Sequence, residues 1–332
     1  MTANAKLTGD FLFVADPLST FNIRKDSTYV MMRAMQGRGA RIHHCHPSDI
    51  EWESGQAVRA RVTPITLNNV TADEAMAGRT WFDAADVATL PLKDFTAVLM
   101  RKDPPFDAEY IYSTHLLEQA EREGARVFNR PSALRDHPEK LALMAFSRYA
   151  PPTLVTRQAE AIKAFHAKYK DIILKPLDGM GGMGIFRVGA DGMNLGSIIE
   201  TLNQGGAQTV MVQVYQPAIK DGDKRILLIG GEPVPYCLAR IPQGSEIRGN
   251  LAAGGKGEAR PLSDSDWAIA RDFAPVLAAR GLLLVGLDVI GDKVTEVNVT
   301  SPTCFQEITD QMGFDVAQRF TDALGDAMRC VK

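Results

Sequence analysis

The chain has 332 residues, about twice the usual length of a domain, so two or three domains are expected. Its hydrophobic fraction of 45% and charged fraction of 23% are those of a globular protein, which excludes a disordered chain or a disulfide-rich miniprotein. The net charge of −3 and the lack of any apolar run near about 18 residues argue against nucleic-acid and membrane partners. With neither a signal-peptide pattern nor paired cysteine motifs, the sequence predicts a cytoplasmic protein.

The first third of the chain alternates strand and helix patterns. In chain order these are a strand at 11–17, a helix capped by Asp26 or Ser27 and ending near Gly37, a strand at 41–47, a hairpin at 58–67, a strand at 95–105 and a helix ending at Gly124. This alternation predicts a parallel α/β domain over residues 1–125.

The rest of the chain mixes strands and helices without a repeat. The expected strands are 152–156, 171–177, 184–188, 209–215, 224–240, 284–290 and 293–299, and the expected helices are 138–147, 158–170, 264–280 and 306–328. We expect a central lobe over residues 126–200 and a C-terminal lobe over residues 201–332.

A glycine-rich loop, GMGGMG at 179–184, joins two of these strands. It fits the G-x-G-x-x-G pattern, but a dinucleotide fold needs that loop between a strand and a helix, which argues against a dehydrogenase. A glycine hairpin can instead fold over a triphosphate with its backbone N–H groups. Lys175 precedes the loop in an apolar strand and is expected to reach an anion, although an ordinary turn with an edge lysine is the alternative.

A second hairpin, residues 285–299, carries acidic side chains. Glu296 and Asn298 share one face of their strand because they are two residues apart. A three-residue turn, Gly291 to Lys293, would place Asp288 opposite Glu296 and pair apolar Leu287 with Val297 and Val285 with Val299, so we predict that turn. The oxygen ligands of Asp288, Glu296 and Asn298 would then suit Mg²⁺, with a solvated polar face as the alternative.

One glycine-rich segment, residues 241–256, has no periodic pattern and contains Arg248. A segment without such a pattern is expected to be a surface loop. Its glycines could also act as hinges of a mobile lid that brings the charge of Arg248 over a substrate.

Together these residues resemble those of a known family. MRKDPPFDAEYIY, IILKPLDGMGGMGIFRV, RGNLAAGG and VGLDVIGDKVTEVNVTSPT are similar to segments of prokaryotic glutathione synthetases, which are ATP-grasp ligases. The similarity runs from about Asp16 to Val316, and residues 1–10 lie outside it. It implies an ATP-grasp fold, in which an N-terminal parallel α/β domain is followed by two α+β lobes that sandwich ATP.

The resemblance also implies a set of site residues. The expected nucleotide-binding residues are Lys140, Lys175, Gly179, Gly181, Gly182, Gly184, Gln213, Val214, Tyr215 and Asp223. The expected catalytic residues are Arg225, Lys175 and Arg248, and the expected metal ligands are Asp288, Glu296 and Asn298. Segments 16–28 and 101–105 are expected to help form a pocket for a peptide substrate.

The implied reaction joins glycine to γ-glutamylcysteine through an acyl phosphate, with ATP and Mg²⁺, or Mn²⁺ in its place. The resemblance further implies a homotetramer. Two alternatives stay open at this point. Another ATP-grasp ligase, joining D-alanine or appending glutamate, would share the nucleotide site, and a non-enzymatic regulator would bind ATP without releasing phosphate.

Overall fold

The computed structural model describes residues 6–244, 246, 248, 249, 251 and 254–330. Within these residues the strands form three sheets, of eight, four and five strands. None of the helices in this part of the chain has the length and apolar character needed to cross a membrane.

The N-terminal unit is built on the largest sheet. Its strands are β1 (Gly9–Val14), β2 (Ala40–Cys45), β3 (Ile50–Glu51), β4 (Arg59–Leu67), β5 (Phe82–Ala84), β6 (Ala88–Pro91), β7 (Ala97–Met100) and β8 (Val127–Phe128). Its helices are α1 (Ser27–Gly37), α2 (Ala72–Met76), α3 (Ala108–Arg122) and α4 (Pro131–Asp136). Strands β2, β1, β7 and β8 lie side by side in parallel, which confirms the predicted parallel α/β domain.

Local signals explain the start of α1 but not the strand β4. The carboxylate of Asp26 accepts a hydrogen bond from the Tyr29 N–H and so caps α1, as predicted. The predicted hairpin at 58–67 is wrong, because these residues form the single strand β4. Pro64 does not end this strand: it lies within β4 opposite His43, and its carbonyl accepts a hydrogen bond from the Ala85 N–H.

The central unit carries a four-stranded antiparallel sheet with order β11-β10-β12-β9. A short 3-10 helix (Leu141–Phe146) precedes β9 (Thr153–Thr156), α5 (Ala159–Tyr169), β10 (Ile172–Pro176), β11 (Phe186–Val188), α6 (Leu195–Asn203) and β12 (Val210–Val214). Helix α6 was not predicted, and no side-chain cap marks its start at Asn194. Because β12 pairs with β10, we propose that the boundary expected near residue 200 lies after β12.

The C-terminal unit carries a five-stranded antiparallel sheet with order β15-β14-β13-β16-β17. Its elements are β13 (Asp223–Ile229), β14 (Glu232–Ile241), β15 (Lys256–Pro261), α7 (Asp264–Ala279), β16 (Leu284–Ile290), β17 (Lys293–Asn298), α8 (Phe305–Met312) and α9 (Val316–Cys330). The single helix expected at 306–328 is two helices, since Gly313 adopts a left-handed conformation with φ of 66° that ends α8.

The hydrophobic cores join the N-terminal unit to the C-terminal unit, whereas the central unit is packed separately. Phe13 of β1 packs in one cluster with Leu227 of β13 and Phe305 of α8, so the N-terminal and C-terminal sheets share apolar cores. The four-stranded sheet has its own small core, which includes Ile162 and Leu174. A cleft therefore lies between a separately packed central unit and the rest of the molecule.

Candidate active site

The cleft contains a cavity of about 450 Å³. One wall is the central sheet, with Lys175 and Gln213, and the other is the C-terminal sheet, with Arg225 and Asp288. All but one of the site residues predicted from the sequence line this cavity. They are Lys140, Lys175, Gly179, Gly181, Gly182, Gln213, Val214, Tyr215, Asp223, Arg225, Arg248, Asp288, Glu296 and Asn298. The fold thus brings together residues that are up to about 160 positions apart in the chain.

Gly184 is the predicted loop residue that the structure places outside the lining of this cavity. It adopts a φ of 70°, and a Cβ atom there would lie 3.2 Å from ring carbons of Pro176. Glycine is therefore needed at this position for the turn itself.

The acidic hairpin has the predicted pairing but not the predicted turn. Asp288 lies opposite Glu296, and Leu287 opposite Val297, which confirms those two pairs. The three-residue turn is wrong, because Ile290 pairs with Lys293 across a two-residue turn. A bulge at Thr295 restores the register by adding the residue that the shorter turn lacks. The further pair Val285–Val299 lies beyond the end of β17.

Beside this hairpin, two arginines and two aspartates form a buried ion-pair cluster. Arg225 lies directly opposite Asp288, and its Nε is 2.6 Å from the carboxylate. Arg240 lies opposite Asp223 and contacts both aspartates, at 2.6 Å and 2.9 Å. The close approach depends on Gly286, where a Cβ would lie 2.8 Å from Cδ of Arg225.

The cluster shifts the pKa values of its two aspartates in opposite directions. Burial opposes ionisation of Asp288, but Arg225 and Arg240 outweigh it, and the pKa of Asp288 lies well below its usual range. Burial raises the pKa of Asp223 to about 6, although Arg240 opposes this shift. Asp288 is therefore a carboxylate near neutral pH, with two guanidinium groups as partners.

Two lysines approach the hairpin from the central unit. The Nζ of Lys140 donates to the Glu296 carboxylate at 2.9 Å and to the Gly179 carbonyl at 2.8 Å. The Nζ of Lys175 donates to the Thr295 carbonyl at 3.0 Å. Burial lowers the pKa of Lys175 to about 8, although the nearby charge of Glu296 opposes this. Cationic groups therefore face carboxylates across the cavity.

This pKa predicts a pH dependence of nucleotide binding. Lys175 is a cation below about pH 8 and loses its charge as the pH rises through that value. We expect ATP affinity to fall by up to about tenfold per pH unit above pH 8, measured by calorimetry from about pH 7 to about pH 9.5. Lys175→Met should bind more weakly and without this dependence. An affinity of the unmodified protein that stays constant over the whole range would contradict a phosphate contact by Lys175.

The glycine loop and the segment 241–256 meet at one point. The guanidinium of Arg248 donates to the Gly182 carbonyl at 3.2 Å and pairs with Glu246 at 2.5 Å. The predicted lid falls partly outside the described residues, which omit 245, 247, 250, 252 and 253. Its last residue, Lys256, begins β15. Arg248 is thus placed beside the loop that is expected to cover the phosphates.

The expected nucleotide-binding residues Gln213, Val214 and Tyr215 lie at the end of β12 and directly after it. The Gln213 side chain is buried and donates to the Thr153 hydroxyl at 3.1 Å. The Tyr215 N–H donates to the Asp171 carbonyl, and the Arg187 guanidinium stacks 3.6 Å from the centre of the Tyr215 ring. These contacts fix the strand end where it lines the cavity.

The other end of the cavity is formed by the N-terminal unit. Thr20, Asn22, Lys25, Asp26 and Asp103 line it, and they come from the two segments expected to bind a peptide substrate. This end combines amide, hydroxyl and both signs of charge. Such a set can hydrogen-bond the carboxylate and amine groups of a small polar molecule.

The three predicted metal ligands fit a hard cation by chemistry. Asp288, Glu296 and Asn298 offer oxygen atoms only, as Mg²⁺ prefers. Asn298 donates its amide N–H to the Gly286 carbonyl at 3.2 Å, which leaves its amide oxygen for a ligand. Over the described residues, no three or more His, Cys, Asp or Glu side chains are grouped to hold a metal ion. The carboxylates of Asp288 and Glu296 face arginine and lysine instead.

Sequence reasoning missed three charged residues that line the cavity, Glu139, Arg240 and Glu307. Arg240 lies in a strand whose register depends on an irregularity between Ile226 and Leu228 of its partner strand. Glu139 directly precedes Lys140, so its position beside a predicted phosphate contact was a usable signal.

Comparisons with known proteins agree with this geometry. The fold resembles the ATP-grasp ligase PsnB (TM-score 0.59, 18% identity, covering 96% of this chain and 99% of that chain). It also resembles D-cycloserine synthetase DcsG (TM-score 0.65, 15% identity, covering 96% and 99%). These likenesses show an ATP-grasp fold, which confirms the predicted fold class.

The family is given by sequence. Residues 10–135 match the prokaryotic glutathione synthetase N-terminal domain, and residues 139–313 match the prokaryotic glutathione synthetase ATP-grasp domain. The chain is 62% identical over 313 residues to glutathione synthetase of Ralstonia nicotianae, covering 94% of each protein. It is 51% identical to that of Escherichia coli O6:H1, covering 94% of this chain and 96% of the relative. The chain belongs to the prokaryotic glutathione synthetase family and is an ATP-dependent ligase.

Proposed function

We propose that the chain joins glycine to the cysteinyl carboxylate of γ-glutamylcysteine, with Mg²⁺ as the natural cation and Mn²⁺ able to replace it. The observation that carries this proposal is the cavity itself. Lys140, Lys175 and Arg225 meet the acidic hairpin at its centre, and polar residues of the N-terminal unit close one end. This arrangement suits a nucleotide whose γ-phosphate points toward a small polar acceptor.

In the proposed reaction, a carboxylate oxygen attacks the γ-phosphorus and ADP leaves. The amine of glycine then attacks the acyl carbon, loses a proton, and expels phosphate. Lys140, Lys175 and Arg225 would counter charge on the transferred phosphoryl group, so catalysis would consist of positioning and charge neutralisation. A divalent cation at Asp288, Glu296 and Asn298 would neutralise further phosphate charge. Arg248 would cover the site and exclude water from the acyl phosphate.

The test is ATP-dependent phosphate release across a panel of acids and amines. We expect release with γ-glutamylcysteine plus glycine to exceed every other pair by at least about 100-fold, and glutathione to form in equal amount. A panel that includes D-alanine pairs and glutamate acceptors separates this activity from other ATP-grasp ligations. Faster release with one of those pairs would overturn the proposed substrates and leave the ligase class intact.

The family resemblance supports two further proposals, a homotetramer and a cytoplasmic location. The solution mass of the purified protein tests the first.

A further inference from the structure

Glu139 holds the edge of the acidic hairpin. One carboxylate oxygen of Glu139 accepts three hydrogen bonds, from the N–H of Val299 at 2.9 Å, the N–H of Thr300 at 3.1 Å and the hydroxyl of Thr300 at 2.8 Å. Its backbone carbonyl accepts from the Val297 N–H at 2.9 Å. Glu139 thus accepts hydrogen bonds from the backbone N–H groups of Val297, Val299 and Thr300, which lie on either side of Asn298 in the chain.

These bonds matter because β17 is the last strand of its sheet. Its outer N–H groups have no neighbouring strand to pair with, and unpaired backbone groups leave an edge strand loosely fixed. Glu139 takes the place of that missing strand for Val297 and Val299. Glu296 and Asn298 alternate with these two residues, so the same bonds set the position of both side chains.

A second side chain, that of Asn129, also forms a hydrogen bond with the backbone of Val299. Asn129 donates to the carbonyls of Val299 and Leu284, both at 2.8 Å, and accepts from the Leu284 N–H at 3.0 Å. Both backbone polar groups of Val299 are therefore held by side chains. The neighbour of Glu139, Lys140, also bonds the carboxylate of Glu296.

We propose that Glu139 is a positioning residue, which fixes the end of β17 and thereby aims the oxygens of Glu296 and Asn298 at the divalent cation. This inference rests on the metal site of the proposed function. Glu139 acts through geometry, by accepting hydrogen bonds, and its negative charge is not what the site uses. Partners that orient metal ligands typically change metal affinity by about 10- to 100-fold when they are removed.

Two conservative variants separate geometry from charge. Glu139→Gln keeps the length of the side chain and an acceptor oxygen but removes the charge. Glu139→Asp keeps the charge but is one methylene shorter and cannot reach the three donors together. A geometric role predicts that the glutamine variant resembles the unmodified protein, whereas a charge role predicts the reverse order.

The experiment is a Mn²⁺ titration of the full chain with the ATP analogue AMP-PNP, following free Mn²⁺ by electron paramagnetic resonance. We expect Glu139→Asp to bind Mn²⁺ at least about tenfold more weakly and Glu139→Gln to remain within about threefold. Thermal unfolding confirms that each variant is folded. Glu258→Asp, the same change at a half-exposed residue of β15, is the matched control and should bind normally. Thr300→Val, which removes only the hydroxyl donor, provides a milder variant, expected to be about threefold weaker.

The outcomes are distinct. Unaltered Mn²⁺ binding in Glu139→Asp and Thr300→Val, or weaker binding in the glutamine variant than in the aspartate variant, overturns the positioning role alone. Failure of the unmodified protein to bind Mn²⁺ with AMP-PNP overturns the proposed metal site and this inference together.

Discussion

Glu296→Gln is expected to lower kcat for ATP-dependent phosphate release by at least about 100-fold, with the fold retained. The substitution keeps the shape of the side chain and removes one of the two carboxylates that face each other across the hairpin. Lys140 loses its charged partner but keeps the carbonyls of Leu177 and Gly179 as acceptors. Because Lys140 keeps these acceptors and the Glu296 side chain is 21% exposed, the loss of stability should be smaller than for the Asp288 ion pair, whose side chains are 5% and 7% exposed. Steady-state phosphate release and thermal unfolding measure the two effects.

Asp292→Asn is the matched control, since it removes the same charge from the turn of the same hairpin. Its side chain is 69% exposed, and among the described residues its ion pair and hydrogen bond are with Lys293 alone, so kcat should stay within about twofold. Near-normal turnover of Glu296→Gln at saturating Mg²⁺ would contradict a role for Glu296 in holding the cation.

The pairing of the acidic hairpin could be predicted because apolar residues define it. Placing Leu287 opposite Val297 buries both, and a shift by one residue would turn the strand's apolar face to solvent. The turn could not be predicted in the same way. A two-residue turn with a bulge and a three-residue turn without one give the same pairing beyond Thr295, so the apolar pattern does not distinguish them.

The position of Arg240 could not be predicted by counting residues from the nearest turn. From the turn at Gly230 and Gly231, regular pairing would place Asp223 opposite Leu238. The strand irregularity near Pro233 shifts this register by two residues and brings Arg240 opposite Asp223 instead. Proline within a strand often accompanies a bulge, so Pro233 and Pro235 were the sequence sign of the shift. The size of the register shift determines which residue of β14 lies opposite Asp223. That size follows from packing in the folded sheet.

The contacts between units depend even less on local pattern. Lys140 and Glu296 are 156 residues apart and lie in different units. Neither residue's neighbours encode the other's position, and only the family resemblance pointed to Lys140. By contrast, Lys175 could be singled out from its own strand, because a lysine in an apolar strand needs a partner. Local chemistry therefore identified candidates, while the fold determined which of them meet.

Asp288→Asn is expected to lower the free energy of unfolding by about 3–5 kcal/mol, because it leaves the buried guanidinium of Arg225 without its carboxylate, while Arg240 keeps Asp223. Asp288 is 3% exposed, and among the described residues Arg225 has no other ion-pair partner. Urea denaturation measures the loss. Because the pKa of Asp288 is lowered in the folded protein, the carboxylate stabilises the fold at neutral pH. The difference from the unmodified protein should shrink only below about pH 4, where the carboxylate of the unfolded chain becomes protonated.

Asp171→Asn provides the contrast, since it breaks an arginine–aspartate pair of similar geometry in a more exposed place. The Asp171 and Arg187 side chains are 35% and 38% exposed, and their pair lies at 2.7 Å. Solvent screening should limit this loss to about 1 kcal/mol or less. Equal losses in the two variants would mean that water reaches the Arg225–Asp288 pair. The cluster would then be held as loosely as a surface ion pair, and Asp288 could turn toward a cation at little cost.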